Sequence, residues 1–331
     1  MTWYRAFLER VDGWQQRWRG PAFLVAVLLR YREDRGTQYG ALLSYYGFVS
    51  IFPLLLVMVT MLGIVLEGDP GLRDQILDTV YAKIPVVGTQ LSRNPLSLDS
   101  SGLLLLVGLL VALKAGLAVV KHAQDALNLQ WSVPRFERPG WVTVHLRAIG
   151  VLVLLGVGIL ATTVVTNLAV FLPDLPGSGR LLGAAFAMVL NVVLLTASYR
   201  VLVESKRGWR AYAAGGLAGG LGLWVLSLIG ATYVDHVIVD ATDVYGTFAI
   251  MFGLLVWIGL VARIALVANE INVVGSKHLW PRSLTGNRMT EADHRALEEV
   301  TQREAFVAGA PAHASAGDES GNPAQISDDT S

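Results

Sequence analysis

Residues Gly246 to Val274 read GTFAIMFGLLVWIGLVARIALVANEINVV, and their only charges are Arg263 and Glu270. At about 1.5 Å per residue a helix of this length rises roughly 40 Å. That exceeds the roughly 30 Å of hydrocarbon in a bilayer, so the helix crosses with tilt or extends into an interface. A strand would be complete within about ten residues. Apolar side chains surround the whole circumference and leave no polar stripe, so lipid and other helices are its natural surroundings.

Five further runs of the same kind lie upstream: Gly40 to Leu66, Gly102 to about Val120, Trp141 to Leu172, Leu181 to Val203 and Ala211 to Tyr233. The composition agrees, since 53% of the 331 residues are hydrophobic and only 16% charged, where soluble domains carry roughly a quarter charged residues. The expected fold is all-α, a polytopic membrane protein of six transmembrane helices over residues 40–274 with both termini on one side. The chain has no cysteine, which excludes thiol catalysis, disulfides and cysteine-ligated metal clusters. Lys and Arg balance Asp and Glu at 26 each, so no basic excess points to nucleic acid as a partner.

The distribution of that charge orients the chain. Seventeen Lys and Arg residues lie in the N-terminal segment, the second and fourth loops and the C-terminal flank, against four in the first, third and fifth loops. Positive charge stays inside, which predicts cytoplasmic termini. Residues 1–39 form an expected interfacial segment. In it Trp3, Phe7, Val11, Trp14 and Trp18 recur at helical spacing among arginines and no cleavable leader is read. An amphipathic helix in the headgroup plane, with anionic lipid headgroups as partners, is one reading; a helix packed on the bundle is the other. Leu72, Ile76, Val80 and Ile84 predict an amphipathic helix in the first outer loop. Residues 275–308 read as a cytoplasmic segment whose short helix begins at Thr290, with Asp293 in its first turn. Residues 309–331 read as a disordered tail.

Ionisable groups inside spans are functional candidates. Lys114 is the deepest, roughly 18 Å from the outer end of its span and about 10 Å from the inner end, within snorkelling reach of the cytoplasm. Arg263 and Glu270 fall on nearly one face, but their roughly 10 Å axial separation is too long for a salt bridge. An orienting role near the inner boundary stands beside a gate or substrate contact. Pro53 removes a backbone hydrogen bond within the first span, a site for a kink, and Ser50 can satisfy a freed carbonyl. Gly215 with Gly219, and Gly216 with Gly220, form two overlapping GxxxG spacings suited to close helix packing. Asp235, Asp240 and Asp243 lie in the fifth loop without any Lys or Arg; attraction of cations to an outer mouth is one reading, avoidance of positive charge outside the other. The six histidines stand apart and form no metal-ligand pattern, and no phosphate-binding GxxxxGK[ST] occurs. No metal site, cofactor or catalytic residue is read.

Three groups of residues carry a resemblance. Leu43-Ser44-Tyr45-Tyr46 precedes Ser50-Ile51-Phe52-Pro53; Asn128, Trp131, Val133 and Pro134 follow the second span; Tyr245-Gly246-Thr247, Trp257 and Glu270-Ile271-Asn272 mark the last. Together they resemble the YhjD/YihY/BrkB family of envelope integrity proteins, also labelled the ribonuclease BN family. The resemblance runs from about Gly36 to Val274 and implies a bacterial inner-membrane protein of six helices with cytoplasmic termini. Lys114 and Arg263 depart from it, standing where members commonly have a Trp and an aliphatic residue. The functional expectation is a non-enzymatic membrane protein supporting envelope integrity, which transports a lipid or amphipathic solute. The alternative is a scaffold recruiting envelope proteins or a homo-oligomer. The ribonuclease label finds no clustered carboxylates or histidines to hold metal ions.

Overall fold

In the computed structural model of the chain, residues 2–65, 102–171, 177–205, 207–233, 247–285 and 289–304 are described. Each long apolar run forms one helix, because a backbone surrounded by apolar groups must satisfy its own hydrogen bonds. In chain order the helices are α1 (Thr2–Arg17), α2 (Arg19–Glu33), α3 (Gly36–Val65), α4 (Gly102–Gln130), α5 (Trp141–Phe171), α6 (Gly177–Leu202), α7 (Arg210–Tyr233), α8 (Thr247–Lys277) and α9 (Glu291–Glu304). No strand occurs among the described residues. Among the described residues, four helices contain segments long and apolar enough to cross a membrane, Leu106–Gln130, Trp141–Gly158, Ala185–Leu202 and Met251–Lys277.

The expected spans agree with helix bounds to within a few residues, with one correction. The second run was expected to end near Val120, with Lys121 onward in a loop, but α4 continues to Gln130. Its last turns are polar yet buried, with Gln124, Asn128 and Gln130 inside the protein, so tertiary contacts sustain a helix that hydropathy alone would end. Ser132, at φ 55°, then stops it, and the Val133 amide bonds the Asn128 carbonyl at 2.9 Å, a left-handed C-terminal cap.

The six long helices pack in a closed ring, each against its chain neighbours and α8 against α3; α8 also touches α2 and α4. Close approach is built from small residues. A Cβ on Gly215 would meet the Ala268 carbonyl at 2.1 Å, so Gly215 faces α8, whereas one on Gly219 would lie 2.9 Å from Leu195 of α6 and 3.0 Å from the Ala268 methyl, so Gly219 sits between the two neighbours. A Cβ on Gly216 would lie 1.9 Å from Thr196 Oγ1, and one on Gly220 would lie 2.5 Å from Val192, so these face α6. The overlapping GxxxG spacings thus serve two neighbours at once. On the other side of α8, Gly40 adjoins Arg263, and the Ser44 hydroxyl donates to the Leu255 carbonyl at 2.6 Å. The ends of α2, α4, α6 and α8 and the starts of α3, α5 and α7 gather at one end of the ring with α9, here termed the proximal end.

Candidate functional site

The proximal end holds a polar hub. Gln130, at the end of α4, donates to the Leu266 carbonyl of α8 at 3.0 Å and accepts from Asn269 Nδ2 at 2.7 Å. Trp131 Nε1 donates to Asn269 Oδ1 at 3.2 Å. Asn128 Nδ2 donates to the Gln124 carbonyl at 2.9 Å, and its Oδ1 accepts from the Glu204 amide at 2.9 Å, tying α4 to the end of α6. Asn272 Oδ1 accepts from the Gly215 amide at 2.5 Å, where α7 begins. Side-chain amides suit this task, since each offers donors and an acceptor for groups left over at helix termini.

Charged residues close the hub. Arg30 is 0% exposed; its Nε lies 2.9 Å from Asp34 and its Nη2 donates to Ser132 Oγ at 2.6 Å and Glu299 Oε2 at 3.1 Å. Lys277 Nζ reaches the Trp131 carbonyl at 2.8 Å and Glu299 at 3.0 Å, and Ser132 Oγ donates to the same Glu299 oxygen at 3.2 Å. Arg303 pairs with Asp34. Four elements, α2, the turn after α4, α8 and α9, thereby meet at one ionic cluster.

A second set of contacts fastens α1 to the C-terminal segment. Asp12 Oδ1 accepts from Gln15 Nε2 at 2.9 Å and the Leu284 amide at 3.1 Å, while Oδ2 accepts from the Ser283 hydroxyl at 3.1 Å. Burial opposes ionisation of Asp12, but the Leu284 amide with the Gln15, Gln16 and Ser283 side chains outweighs it and holds the carboxyl below its ordinary value. Asp293 forms a reciprocal cap with Thr290: the Thr290 amide donates to Asp293 at 2.9 Å and the Asp293 amide to Thr290 Oγ1 at 3.2 Å. Its carboxyl is also held low: burial opposes, and the Thr290 amide, Arg282 and the Ser283 amide prevail. Arg282 joins Asp293 at 2.5 Å to Glu33 at 2.7 Å. Over residues 9–17 the buried residues of α1 are polar, Asp12 and Gln15, whereas Trp14 and Trp18 are 56% and 62% exposed.

The residues singled out in the sequence divide between this hub and the rest. Asn128, Trp131, Glu270 and Asn272 all lie in it, buried. Asn128 and Trp131, expected after the second span, instead lie on the last turn of α4 and directly after its end. Glu270 is fully enclosed rather than at an exposed boundary; Asp34, Arg30 and Gln130 surround it, and its carboxylate makes no hydrogen bond of normal geometry. Arg263 is exposed beside Gly40 and is not paired with Glu270. Tyr45 is exposed, and Tyr46 stacks on His122 with ring centroids 4.5 Å apart. The Ser50 hydroxyl donates to the Gly47 carbonyl at 2.7 Å, not to the Val49 carbonyl that Pro53 deprives of its donor. The side chains of Phe52 and Pro53, with Tyr245, Gly246, the acidic fifth loop, the expected outer-loop helix and the tail, lie outside the described residues.

Lys114 is exposed on α4, with no ion pair among the described residues. Tyr46 and His122 mark one level of the antiparallel α3 and α4, and Lys114 lies two turns beyond it, away from the hub. Arg263 lies level with Gly40, so the two cations stand roughly 20 Å apart along the bundle and share no site. With α4 extended to Gln130, Lys114 is roughly 24 Å from the proximal end of that helix.

Sequence reasoning missed Arg30, Asp34, Gln130, Asn269, Lys277 and Glu299. The visible signals were the Arg30 and Asp34 pair, four residues apart at a helix end, and the Asn269-Glu270 dipeptide closing an apolar run. No group of acidic or histidine side chains among the described residues is arranged to hold a metal ion.

The family model described as Virulence factor BrkB matches residues 27–291. The chain is similar to the inner membrane protein YhjD of Escherichia coli, 24% identical over 265 residues covering 74% of this chain and 78% of the relative. It is similar to a UPF0761 membrane protein of Nitrosospira multiformis, 26% identical over 251 residues, 72% of this chain and 57% of that protein. A UPF0761 membrane protein of Vibrio atlanticus is 26% identical over 273 residues, 78% of this chain and 83% of its own length. No solved structure matches.

Proposed function

This chain belongs to the BrkB family of membrane proteins, and from that premise we propose a six-span protein of the bacterial cytoplasmic membrane, both termini cytoplasmic, that supports envelope integrity by moving a lipid or amphipathic solute. It acts without enzyme chemistry. The observation that carries this reading is Lys114, an exposed cation near the middle of a membrane-length helix, beside exposed Leu106, Val107, Leu110, Val111 and Leu113. A cation at that depth is costly unless it meets water or an anion. An anionic amphipath satisfies both halves of such a surface, its head on the ammonium and its chains on the leucines. The proximal end, with its arginines and the exposed Trp14 and Trp18, belongs at the cytoplasmic headgroups, where aromatic and basic side chains are favoured.

Purified protein in liposomes tests this. Movement of fluorescent anionic lipid across the bilayer, lost in Lys114→Met, is the expected result; no movement by the wild type sinks it. Reporter fusions at Asp174 and Asp240 check topology, and a cytoplasmic signal at either overturns the orientation. The docking of α1 and α9 at the proximal end favours one second reading, a platform for envelope proteins, which instead predicts copurifying partners and an unimpaired Lys114→Met.

A further inference from the structure

One carboxylate oxygen at the hub is bound as few surface carboxylates are. Glu299 Oε2 accepts from Arg30 Nη2 at 3.1 Å, Ser132 Oγ at 3.2 Å and Lys277 Nζ at 3.0 Å. The three donors come from α2, the turn after α4 and the end of α8, and only the acceptor comes from α9. Each donor is fixed independently of Glu299. Arg30 is anchored through Nε to Asp34, Lys277 through the Trp131 carbonyl, and Ser132 by its left-handed backbone at φ 55°. Arg30 Nη1, in a side chain that is 0% exposed, has no hydrogen-bond partner. A guanidinium, an ammonium and a hydroxyl converging on one oxyanion, with a guanidinium N–H to spare, is the donor set of a phosphate site. A carboxylate fills it incompletely, because among the described residues only one of its oxygens is held.

The family match adds a second observation. Arg30, Ser132 and Lys277 lie within residues 27–291, and Glu299 and Arg303 lie beyond them. The donors thus lie within the matched region, on α2, the turn after α4 and the end of α8, while the acceptor rides on the short helix that follows it.

We propose that Arg30, Ser132 and Lys277 form a binding site for a phosphate group, and that Glu299 of α9 occupies this site as a displaceable plug. Phosphate binding and α9 docking are then mutually exclusive, so the ligand releases α9 and with it the Arg303 contact to Asp34. This site stands apart from Lys114 and does not depend on the transport reading. The phosphate comes either from an anionic lipid headgroup or from solution.

The chain has no cysteine, so full-length protein carrying Leu28→Cys and Leu297→Cys takes two spin labels, both at exposed positions. Labelled protein in neutral-lipid nanodiscs is titrated with inorganic phosphate, and compared with nanodiscs containing phosphatidylglycerol. The label separation is expected to lengthen with one or both, and the arm that responds identifies the source. If the plug is seated nine-tenths of the time, Glu299→Gln binds about tenfold more tightly. Lys277→Met on that background abolishes the gain, and Ser132→Ala weakens it should the Lys277 variant prove unstable. Glu299→Gln binding both ligands no better than wild type overturns the proposal, as does a separation unchanged at saturation by both.

Discussion

Arg30 and Lys114 are both cations on helices of this protein, and the protein treats them in opposite ways. Arg30 is withdrawn from solvent and surrounded by Asp34, Ser132 and Glu299, whereas Lys114 is exposed on an apolar face with no counter-ion among the described residues. The first charge is held because removing any partner strands the others in a medium that solvates ions poorly. The second remains available for something outside the chain. One end of the bundle is therefore cross-linked, while the middle keeps a charge with no counter-ion among the described residues.

The sharpest way to break this contrast is Arg30→Met. It leaves Asp34 with one partner fewer in a buried cluster, and a loss of about 3–5 kcal/mol is expected in denaturant unfolding of detergent-solubilised protein. A loss below about 1 kcal/mol would mean that the hub is no more than an ordinary surface pair. Gly215→Ala comes next. Its added methyl would overlap the Ala268 carbonyl and Asn272, and displacing α7 from α8 is expected to cost about 1–3 kcal/mol in the same assay.

Acidification probes the outer layer of the hub. Asp12 and Asp293 are held below the ordinary value of 3.8, so their stabilising contribution is complete above that value and is lost as pH falls through the lower native values. Detachment of α1 and α9, read as exposure of backbone amides to hydrogen exchange, is expected only below about pH 4. Release that begins near pH 6 would assign it to other groups. The smallest structural effect belongs to Lys114→Met, which is expected to leave the unfolding midpoint within error of wild type while abolishing lipid movement. A large drop in midpoint would make Lys114 a structural residue and remove its contrast with Arg30.

The helices were readable because a membrane-length helix is written in contiguous residues: the ends of α5 and α7 fall within a residue of the hydropathy boundaries. The glycine pairs of α7 were readable for the same reason, although which neighbour each pair meets was not. Legibility failed at Val120. Beyond it Lys121, Gln124, Asp125 and Asn128 look like a loop, and it is burial of Gln124 and Asn128 inside the bundle that sustains the helix there. Arg30 looked like one more positive charge of the N-terminal segment, since nothing local announces that Ser132 and Glu299, more than a hundred residues away, will close on it.

The amino-acid sequence by itself determined an all-helical membrane protein with several long apolar runs, because burying a backbone in lipid admits few structures and hydropathy is a local property. The tertiary structure alone decided which polar residues are partners and which stand unengaged. Glu270 and Lys114 are equally conspicuous in the chain, yet one is enclosed at the hub and the other faces outward. Ring closure through α8 sets that difference, and contacts between distant segments leave no periodic trace in the sequence.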